Sequence, residues 1–226
     1  MKKISIIIPI YNEEVSLKKN FNKIYRFFKK NFYSYEIIMI ESGSFDNSFK
    51  LCKNFEKLKN VKLFHQKKRE GFGSAIKIGI KKITGEFFCI IPIDLCFDIK
   101  ILKIIKKEKF DLLTSFRIND DRSYFRKIQS YFYNVFIKLI FGLKIKSINA
   151  SPKIFRSKFI KNKKLYSRGW TIDAEILFHF SKKKIKYILI PVNILNRKYG
   201  SSKINFFDII KIIIESLILR IKISLF

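Results

Sequence analysis

The sequence predicts an α/β fold in which a mostly parallel sheet is flanked by helices. Two observations carry this prediction. Short runs of β-branched and aromatic residues alternate, along the first half of the chain, with stretches whose apolar residues recur every three or four positions. In addition, Gly and Pro are scarce, at 8 and 4 residues, so each of them is informative about where an element ends. Alternating strands and helices are typical of a parallel sheet covered on both faces.

The predicted elements follow in chain order. Five strands are expected at residues 4–10, 35–40, 61–65, 86–91 and 110–114. A helix is expected over residues 15–30, where apolar side chains recur at helical spacing at Leu17, Phe21, Ile24, Phe27 and Phe28. The opening residues superficially resemble a signal peptide. Because the apolar run ends at Tyr11 without a small-residue cleavage site, a buried first strand is the preferred interpretation.

The composition supports one folded domain and narrows the classes of partner. Of 226 residues, 48% are hydrophobic and 16% aromatic, which is enough for a sizeable core and excludes a disordered basic tail. With 48 Lys and Arg against 18 Asp and Glu, the net charge is +30. This charge favours nucleic acid, an anionic membrane or a phosphorylated substrate as partner. An AT-rich genome, which enriches Lys, Ile, Phe and Asn, explains the charge equally well.

The cysteines and histidines indicate no structural metal site. The three cysteines form no CxxC pair, which is typical of reduced thiols in the cytosol. His65 and His179 lack Cys or His partners at the spacing that zinc requires. Both histidines are therefore expected to be structural.

Polar residues and glycines gather just after the predicted strands, at residues 9–14, 41–46, 69–75 and 92–94. In open parallel sheets, ligands bind beyond the carboxyl ends of the strands, so these segments form the candidate site. Glycines allow a backbone to approach a phosphate, and a helix beginning at Gly73 would offer N–H groups to an anion. The alternative is that Ser44 and Asp46 cap the next helix and that Gly71 and Gly73 form a tight turn.

Short motifs in order along nearly the whole chain carry a resemblance to a known family. They are residues 5–14 (SIIIPIYNEE), Gly43-Ser44-x-Asp46, Gly71-x-Gly73-x-Ala75-x-x-x-Gly79, Asp94, Ser115-Phe116-Arg117, Pro152-Lys153-x-Phe155-Arg156, Asp173-x-Glu175-Ile176-Leu177, Pro191-Val192 and Arg197-x-x-Gly200-x-Ser202-Lys203. On these motifs the chain resembles glycosyltransferase family 2, in particular the branch of dolichol-phosphate mannosyltransferases and polyprenyl-phosphate glycosyltransferases. The resemblance implies a GT-A (Rossmann-like) fold over residues 1–203, with amphipathic interface helices.

The resemblance also implies an activity and a donor site. The activity is transfer of a hexosyl group, with inversion, from a GDP- or UDP-linked sugar to a dolichyl or undecaprenyl phosphate. The residues expected to bind the nucleotide sugar are Pro9, Tyr11, Glu13, Glu41, Gly43, Gly71 and Gly73, together with Arg197, Ser202 and Lys203 in a basic loop that would close as a lid. Asp94 holds the last position of the family's D-x-D motif, where a divalent cation, Mg²⁺ or Mn²⁺, would bridge the diphosphate. The alternative to a lid is that the segment of Arg197, Ser202 and Lys203 is an ordinary basic loop.

Two departures from the family pattern each remove one carboxylate. The chain has Glu41-Ser42-Gly43-Ser44 where the family usually has Asp-Asp-Gly-Ser, and Pro92-Ile93-Asp94 in place of D-x-D. The first departure predicts a different mode of base recognition. The second departure predicts weaker affinity for a metal ion, whose ligands would be Asp94, diphosphate oxygens and water. Alternatively, basic residues neutralise part of the diphosphate charge in place of the metal ion. Asp98 is a candidate second ligand.

The acceptor side is predicted from a second helical pattern, over residues 124–141. There Arg126, Ser130, Asn134 and Lys138 fall at four-residue intervals, which places them on one stripe of an otherwise apolar helix. In the family, residues at the positions of Arg117, Arg126 and Ser130 grip the acceptor phosphate, and guanidinium groups suit that task. The alternative is a surface helix with solvated basic residues. Asp173, on a later helix, is expected either to orient the acceptor or to be a buried structural acid.

Residues 204–226 are strongly apolar but charged on one stripe. The stripe consists of Asp208, Lys211, Glu215 and Lys222. Such a stripe is typical of an amphipathic helix that lies at a membrane surface or against a partner, and it disfavours a helix that spans the membrane. The expected location is the cytoplasmic face of the membrane, as a peripheral protein.

Three other functions stay open at this point. One is a family 2 transferase that acts on a cell-surface glycan precursor, and another is a degenerate scaffold that has lost turnover with its carboxylates. A nucleic-acid-binding protein is the third, but the sequence has no known binding module and places acidic residues in the candidate site, so no nucleic-acid partner is expected.

Overall fold

A single seven-stranded sheet with helices on both faces organises the protein. The structure, a computed structural model, describes residues 2–107, 109–118, 124–193 and 206–225. The strands are β1 (Ile4–Ile10), β2 (Tyr35–Glu41), β3 (Val61–His65), β4 (Phe87–Ile90), β5 (Leu112–Arg117), β6 (Ile154–Arg156) and β7 (Tyr187–Val192). The helices are α1 (Glu14–Asn31), α2 (Ser48–Glu56), α3 (Phe72–Lys82), α4 (Ile104–Lys107), α5 (Tyr124–Phe141), α6 (Ile172–Ser181) and α7 (Phe206–Leu225).

The strand order confirms the predicted fold class. The order is β3-β2-β1-β4-β6-β5-β7, and every pairing is parallel except the two that involve β6. Strand β6 has three residues, too short to show a periodicity, and it was not predicted. Strand β5 begins and ends later than the predicted residues 110–114, because its last residues pair with Ile190–Val192 of β7. The other predicted strands and helix 15–30 agree with the structure within one residue at each end.

Two apolar cores lie on the two faces of the sheet, because successive side chains of a strand point to opposite faces. On one face Ile4, Ile6, Ile8 and Ile10 of β1 pack against α1, and Phe21 of α1 stacks on Phe55 at a ring distance of 4.0 Å. On the other face Ile7 packs against α3, α5 and α6. A Cβ on Gly79 of α3 would lie 2.6 Å from the Ile7 side chain, so this glycine permits close packing of helix on strand.

Helix α7 is joined to this second core. Leu219 is buried in the core and Ile223 packs against it, and α7 contacts α5. The opposite side of α7 is exposed and apolar, with Ile221 61% exposed. Within the described part of the chain, no helix combines the length and the apolar character needed to cross a bilayer.

A buried carboxylate stabilises the amino-terminal edge of the sheet. Glu36 of β2 accepts hydrogen bonds from the Ser5 hydroxyl (2.6 Å), from the Thr84 N–H (2.6 Å) and hydroxyl (2.7 Å), and from Lys62 (2.9 Å). Burial alone would raise the pKa of Glu36, but these bonds to Ser5, Lys62 and Thr84 outweigh it and lower the pKa to about 2. The ionised form of Glu36 is therefore part of the fold.

Glu36→Gln should destabilise the protein by about 3 kcal/mol at neutral pH, because the folded-state pKa lies well below the ordinary value of 4.5. A depressed pKa stabilises the fold above the unfolded-state pKa, and this stabilisation is lost as the pH falls from 4.5 towards about 2. Urea unfolding of both proteins across that range should show their free energies converging at acid pH. Glu86→Gln, which alters a half-exposed carboxylate, is the control and should change stability by less than about 1 kcal/mol. Equal stabilities of wild type and Glu36→Gln at neutral pH would contradict this role.

Candidate functional site

The sheet brings the predicted site segments to one edge. Strands β1 to β4 are parallel, and β5 and β7 run in the same direction because β6 is antiparallel to both β4 and β5. The residues that follow β1, β2, β3 and β4, and Arg117 at the end of β5, therefore lie along the same edge. The strand order reverses between β1 and β4, which is where ligands bind in open α/β sheets. Tyr11 and Asp94 come just after these two strands.

The turn after β2 is bound to the beginning of α1. The side chains of Ser44, Ser48 and Asp46 accept hydrogen bonds from the N–H groups of residues 12, 13 and 14, at 2.8 to 3.0 Å. Of the two residues proposed as caps of the following helix, Asp46 accepts from the N–H of Ser48 (2.9 Å) at the beginning of α2. Asp46 also accepts from the N–H of Glu14, the first residue of α1, whereas the Ser44 side chain binds the segment just before α1. The N–H groups of residues 12–14, including predicted site residue Glu13, are thus bound by the protein itself.

The Glu41 side chain holds the same turn by hydrogen bonds. Its carboxylate is fully buried and accepts hydrogen bonds from the N–H groups of Gly43 (3.3 Å) and Ser44 (2.7 Å). His65 Nδ1 lies 2.6 Å from Glu41 Oε2. Gly43 has φ +67°, and a Cβ there would lie 2.9 Å from Lys68 Cα, so only glycine suits the position. Glu41 thus organises the site, and base recognition by its carboxylate remains a prediction.

An aromatic and cationic cluster lies next to the turn after β2. The Arg69 guanidinium lies 4.4 Å from the centre of the Tyr11 ring, and Phe45 meets Tyr11 edge-on at 6.4 Å. Phe45 is 90% exposed. Pro9, near the end of β1, is partly exposed. Exposed rings beside a guanidinium offer surfaces on which a nucleobase can stack.

Gly71 and Gly73 lie against another part of the protein backbone. Gly71 has φ +103°, and a Cβ on it would collide with the carbonyl oxygen of Arg168. A Cβ on Gly73 would lie 2.7 Å from the carbonyl oxygen of Gly169. The Ser74 N–H, which a free helix N-terminus would present to an anion, donates to Arg168 O at 3.2 Å. Close backbone packing therefore explains both glycines, and contact with the nucleotide remains a prediction.

Asp94 occupies a tight turn after β4. The turn is closed by the Leu95 N–H donating to Pro92 O (3.1 Å) and is tied to α1 by the Asn20 amide, which donates to Ile93 O (2.9 Å). Leu95 has φ +46°, a strained value for a branched residue. Asp98, the candidate second ligand, instead caps a 3₁₀ turn by accepting from the N–H of Lys100 (3.0 Å).

The residues present do not form a complete metal site on their own. Among the residues that the structure describes, no group of three or more His, Cys, Asp or Glu side chains could hold a metal ion. Asp94 supplies a single carboxylate. A cation at this turn would therefore need most of its ligands from a bound diphosphate and water.

A polar groove lies beside α5, the helix on which the acceptor site was predicted. This α5 groove, of about 380 Å³, is lined by Lys127, Ser130, Tyr131, Asn134, Val135, Lys138, Lys146 and Ser147. The Lys146 ammonium stands 3.6 Å from the centre of the Phe116 ring, which places the groove beside the end of β5. Ser130 thus lines a groove together with three lysines, and its contact with an acceptor phosphate remains a prediction. Arg126 lies on α5, but its side chain is outside the described part of the structure.

Asp173 is paired with a buried lysine. Lys153 donates to Asp173 Oδ2 at 2.8 Å, and the Lys153 side chain is 5% exposed. Burial raises the pKa of the nearby Tyr133 hydroxyl, and the negative charges of Asp173 and Glu215 add to the effect. Asp173 therefore lies where α5, α6 and α7 approach one another. Arg197, Ser202 and Lys203 lie outside the described residues.

A larger groove lies between α3 and α7. This α3–α7 groove, of about 870 Å³, is lined by Glu70, Gly71, Lys77, residues 165–169, Lys211, Glu215, Ile218, Leu219 and Lys222. Three residues of the charged stripe, Lys211, Glu215 and Lys222, therefore line the same groove as Gly71 of the glycine loop, the name used below for residues 66–71 between β3 and α3. Sequence reasoning missed this placement, and it also missed Lys127, Lys146 and Ser147 of the α5 groove, because helical periodicity indicates a stripe but not the surface that the stripe contacts.

Comparison with known proteins identifies similar sequences and folds. The family model described as Glycosyl transferase family 2 matches residues 5–194. A dolichyl-phosphate beta-glucosyltransferase of Dictyostelium discoideum is 27% identical over an alignment of 214 positions, which covers 84% of this chain and 65% of that protein. The chain thus spans slightly less than two thirds of this relative.

Two solved structures show the same fold at low sequence identity. Glucosyl-3-phosphoglycerate synthase from Mycobacterium tuberculosis, in complex with Mn²⁺, UDP and glucosyl-3-phosphoglycerate, has a TM-score of 0.66 at 13% identity over 97% of this chain and 80% of its own. The mannosyltransferase PcManGT from Pyrobaculum calidifontis, in complex with GDP-Man and Mn²⁺, has a TM-score of 0.62 at 15% identity over 88% of this chain and 58% of its own. Together with the strand order, these similarities confirm the GT-A fold.

Proposed function

Because the chain belongs to glycosyltransferase family 2, we propose that it transfers a hexosyl group, with inversion, from a UDP- or GDP-linked sugar to a polyprenyl phosphate at the cytoplasmic face of a membrane. One observation carries the proposal. The segments that follow β1 to β4, which are proposed to bind the donor, and Arg117 at the end of β5, which is proposed to bind the acceptor, share one edge of the sheet. The dolichyl-phosphate glucosyltransferase relative supports a lipid phosphate as acceptor.

On the donor side, the proposal assigns the nucleotide to the surface around Tyr11, Arg69 and Gly43. The ring of Tyr11 with the Arg69 guanidinium would contact the base. Glu41 would act by holding the Gly43–Ser44 turn in place. Pro9 and Glu13, together with the loop that contains Arg197, Ser202 and Lys203, are proposed to complete this site.

A divalent cation is proposed to be shared between Asp94 and the donor diphosphate. Both structural neighbours described above bind Mn²⁺. When bound, such a cation neutralises the charge that develops on the departing nucleoside diphosphate. Asp94 would hold it with one carboxylate, in a turn fixed by Asn20 and Pro92.

On the acceptor side, Arg117 and the α5 groove are proposed to hold the lipid phosphate. Ser130 and three lysines line the groove, and they would balance the two negative charges of a phosphomonoester. A phosphate oxygen attacks the anomeric carbon, a new bond from carbon to oxygen forms, and the bond to the nucleoside diphosphate breaks. Because the acceptor is already an anion, no general base has to remove a proton. Asp173, held by Lys153, would orient this region instead.

Contact with a membrane is proposed for the exposed apolar sides of α5 and α7. The two helices touch each other, and both carry large exposed apolar residues: Tyr131, Phe132 and Leu139 on α5, and Ile214, Leu217, Ile218 and Ile221 on α7. An apolar surface with lysines beside it is typical of helices that lie in the interface of an anionic membrane. The three cysteines, all free thiols, are compatible with a reducing compartment.

A matrix of substrates tests the proposed function. The purified protein is incubated with UDP- and GDP-sugars, each with a short-chain polyprenyl phosphate or with a soluble glycan acceptor, with and without Mn²⁺ or Mg²⁺. A glycolipid product with one donor is the expected result. Transfer only to the soluble acceptor would contradict the lipid acceptor, and no product with any donor would favour the scaffold alternative.

Arg117→Ala should raise the KM for polyprenyl phosphate by about ten- to a hundredfold, because a charge-assisted bond to phosphate contributes about 1.5–3 kcal/mol. Nucleotide affinity should stay within about twofold of wild type, since Arg117 lies beyond the donor strands β1 to β4 in the sheet. Steady-state kinetics and nucleotide titration measure the two effects. Arg26→Ala, an exposed arginine of α1, is the matched control. An unchanged acceptor KM in Arg117→Ala would remove Arg117 from the acceptor site.

A further inference from the structure

Two glutamates hold the backbone of residues 166–169. Glu175 of α6 accepts hydrogen bonds from the N–H groups of Tyr166 (2.7 Å) and Ser167 (2.8 Å). Glu215 of α7 accepts from the N–H groups of Arg168 (3.0 Å) and Gly169 (2.7 Å). Four successive N–H groups are thus bound by two carboxylates that come from different helices, which fixes the conformation of this segment, referred to below as the clamped segment.

The other side of the clamped segment rests on the beginning of α3. Arg168 O accepts the N–H of Ser74, and the carbonyl groups of Arg168 and Gly169 leave no room for a Cβ on Gly71 or Gly73. This contact is backbone against backbone, which cannot yield as the end of a flexible side chain can. A shift of the clamped segment must therefore shift the glycine loop that precedes α3.

Glu215 and the exposed apolar side chains belong to the same helix. Ser216 and Leu219 face inwards and are buried, whereas Ile214, Leu217 and Ile221 are exposed on the outer side. Glu215 lies on the edge between these two sides, at the α3–α7 groove. Any interaction that holds the outer side of α7 also holds the glutamate that positions the clamped segment.

We propose that Glu215 is a positioning residue that couples docking of α7 on a lipid surface to the affinity of the donor site. The proposal rests on the proposed function. When α7 is held at the lipid surface, Glu215 restrains the clamped segment, which in turn keeps the glycine loop in the conformation that binds the nucleotide diphosphate. By thermodynamic linkage, lipid must strengthen nucleotide binding by the same factor by which nucleotide strengthens lipid binding.

The chain contains a natural probe for this coupling. Trp170 is its single tryptophan, and it directly follows the clamped segment. Its ring stacks on Phe72, the first residue of α3, at a centroid distance of 4.9 Å. Tryptophan emission therefore reports on the contact between the clamped segment and α3, independently of catalytic activity.

The experiment titrates the full chain with UDP and with GDP, in the absence and presence of vesicles of phosphatidylcholine and phosphatidylglycerol. For wild type, vesicles should change Trp170 emission and lower the Kd of the preferred nucleotide by about fivefold or more. Glu215→Ala should still bind vesicles in a sedimentation assay, but its nucleotide Kd should be the same with and without them. Glu215→Gln should keep most of the coupling, because the Arg168 and Gly169 bonds both go to Oε1, an oxygen that Gln also has.

Lys222→Ala is the matched control, since Lys222 lies on the same stripe of α7 and makes no hydrogen bond to the clamped segment in the described part of the chain. It should retain the coupling. Wild type that binds vesicles and nucleotide independently would overturn the coupling alone, and full coupling in Glu215→Ala would overturn the role of Glu215. If wild type binds neither UDP nor GDP, or if it does not bind vesicles, both the coupling and the proposed function are overturned.

Discussion

Asp94→Asn should reduce glycosyl transfer by about two to three orders of magnitude while leaving the fold intact. Asparagine has nearly the same shape as aspartate, so the turn closed by the hydrogen bond from Leu95 N–H to Pro92 O should keep its conformation. It removes the negative charge with which the protein would hold a divalent cation. Loss of that charge stabilisation costs several kcal/mol, and each 1.36 kcal/mol is a factor of about ten in rate. Initial rates at saturating donor, over a titration of Mn²⁺, measure the effect.

Asp98→Asn is the matched control for this prediction. Asp98 lies four residues further on, and its side chain caps a 3₁₀ turn, which an asparagine can also do. Its activity and Mn²⁺ dependence should equal those of wild type. Asp94→Asn with wild-type turnover at every Mn²⁺ concentration would show that the family's metal position carries no catalytic function in this chain. A loss of activity in Asp98→Asn alone would instead make Asp98 the ligand.

The parallel half of the fold was predictable because its signals are local. Strand β1 has seven consecutive buried or nearly buried residues bounded by Lys3 and Tyr11, so its ends can be read from the chain itself. Strand β6 has three residues, and its pairing partners β4 and β5 lie about 65 and 40 residues away. A strand defined mainly by distant neighbours has no periodicity of its own, and it becomes visible only when the sheet is assembled.

The positions of the candidate site residues in the sheet were predicted better than their contacts. Glu41, Gly71 and Asp94 all follow or end strands at the expected edge, as the general rule for open sheets requires. Yet Gly71 and Gly73 make room for the backbone of Arg168 and Gly169, which lie about 100 residues further along the chain. The sequence instead predicts a ligand phosphate at these glycines. Sequence indicates that a backbone must come close at a glycine. It does not indicate whether a ligand or the protein approaches.

The charged stripe of α7 illustrates the same limit. Helical spacing places Lys211, Glu215 and Lys222 together, but a stripe of this kind suits water, lipid headgroups or protein equally well. In the structure Lys211, Glu215 and Lys222 line the α3–α7 groove, and the apolar residues on the other side of α7 are exposed. Of these three charged residues, Glu215 makes hydrogen bonds within the protein, whereas Lys211 and Lys222 are exposed.

Gly71→Ala should weaken nucleotide binding at least tenfold and destabilise the fold by about 2–4 kcal/mol. At φ +103° and ψ +159° the backbone of Gly71 is in a region that essentially only glycine adopts, and strain of this kind costs about 1–3 kcal/mol. The new Cβ would also collide with Arg168 O, so the clamped segment or the beginning of α3 must move. Urea unfolding measures the stability, and titration with UDP and GDP under native conditions measures the affinity.

Gly142→Ala separates the two causes, because Gly142 also has a positive φ, +63°, but a Cβ there would meet no atom within 4 Å. This control should lose about 1 kcal/mol from the left-handed conformation alone and bind nucleotide as wild type does. A change in Trp170 emission and a loss of nucleotide affinity that occur in Gly71→Ala but not in Gly142→Ala would then be due to displacement of the clamped segment. If Gly71→Ala instead matches Gly142→Ala in both stability and nucleotide affinity, the packing of Arg168 on the glycine loop does not shape the donor site.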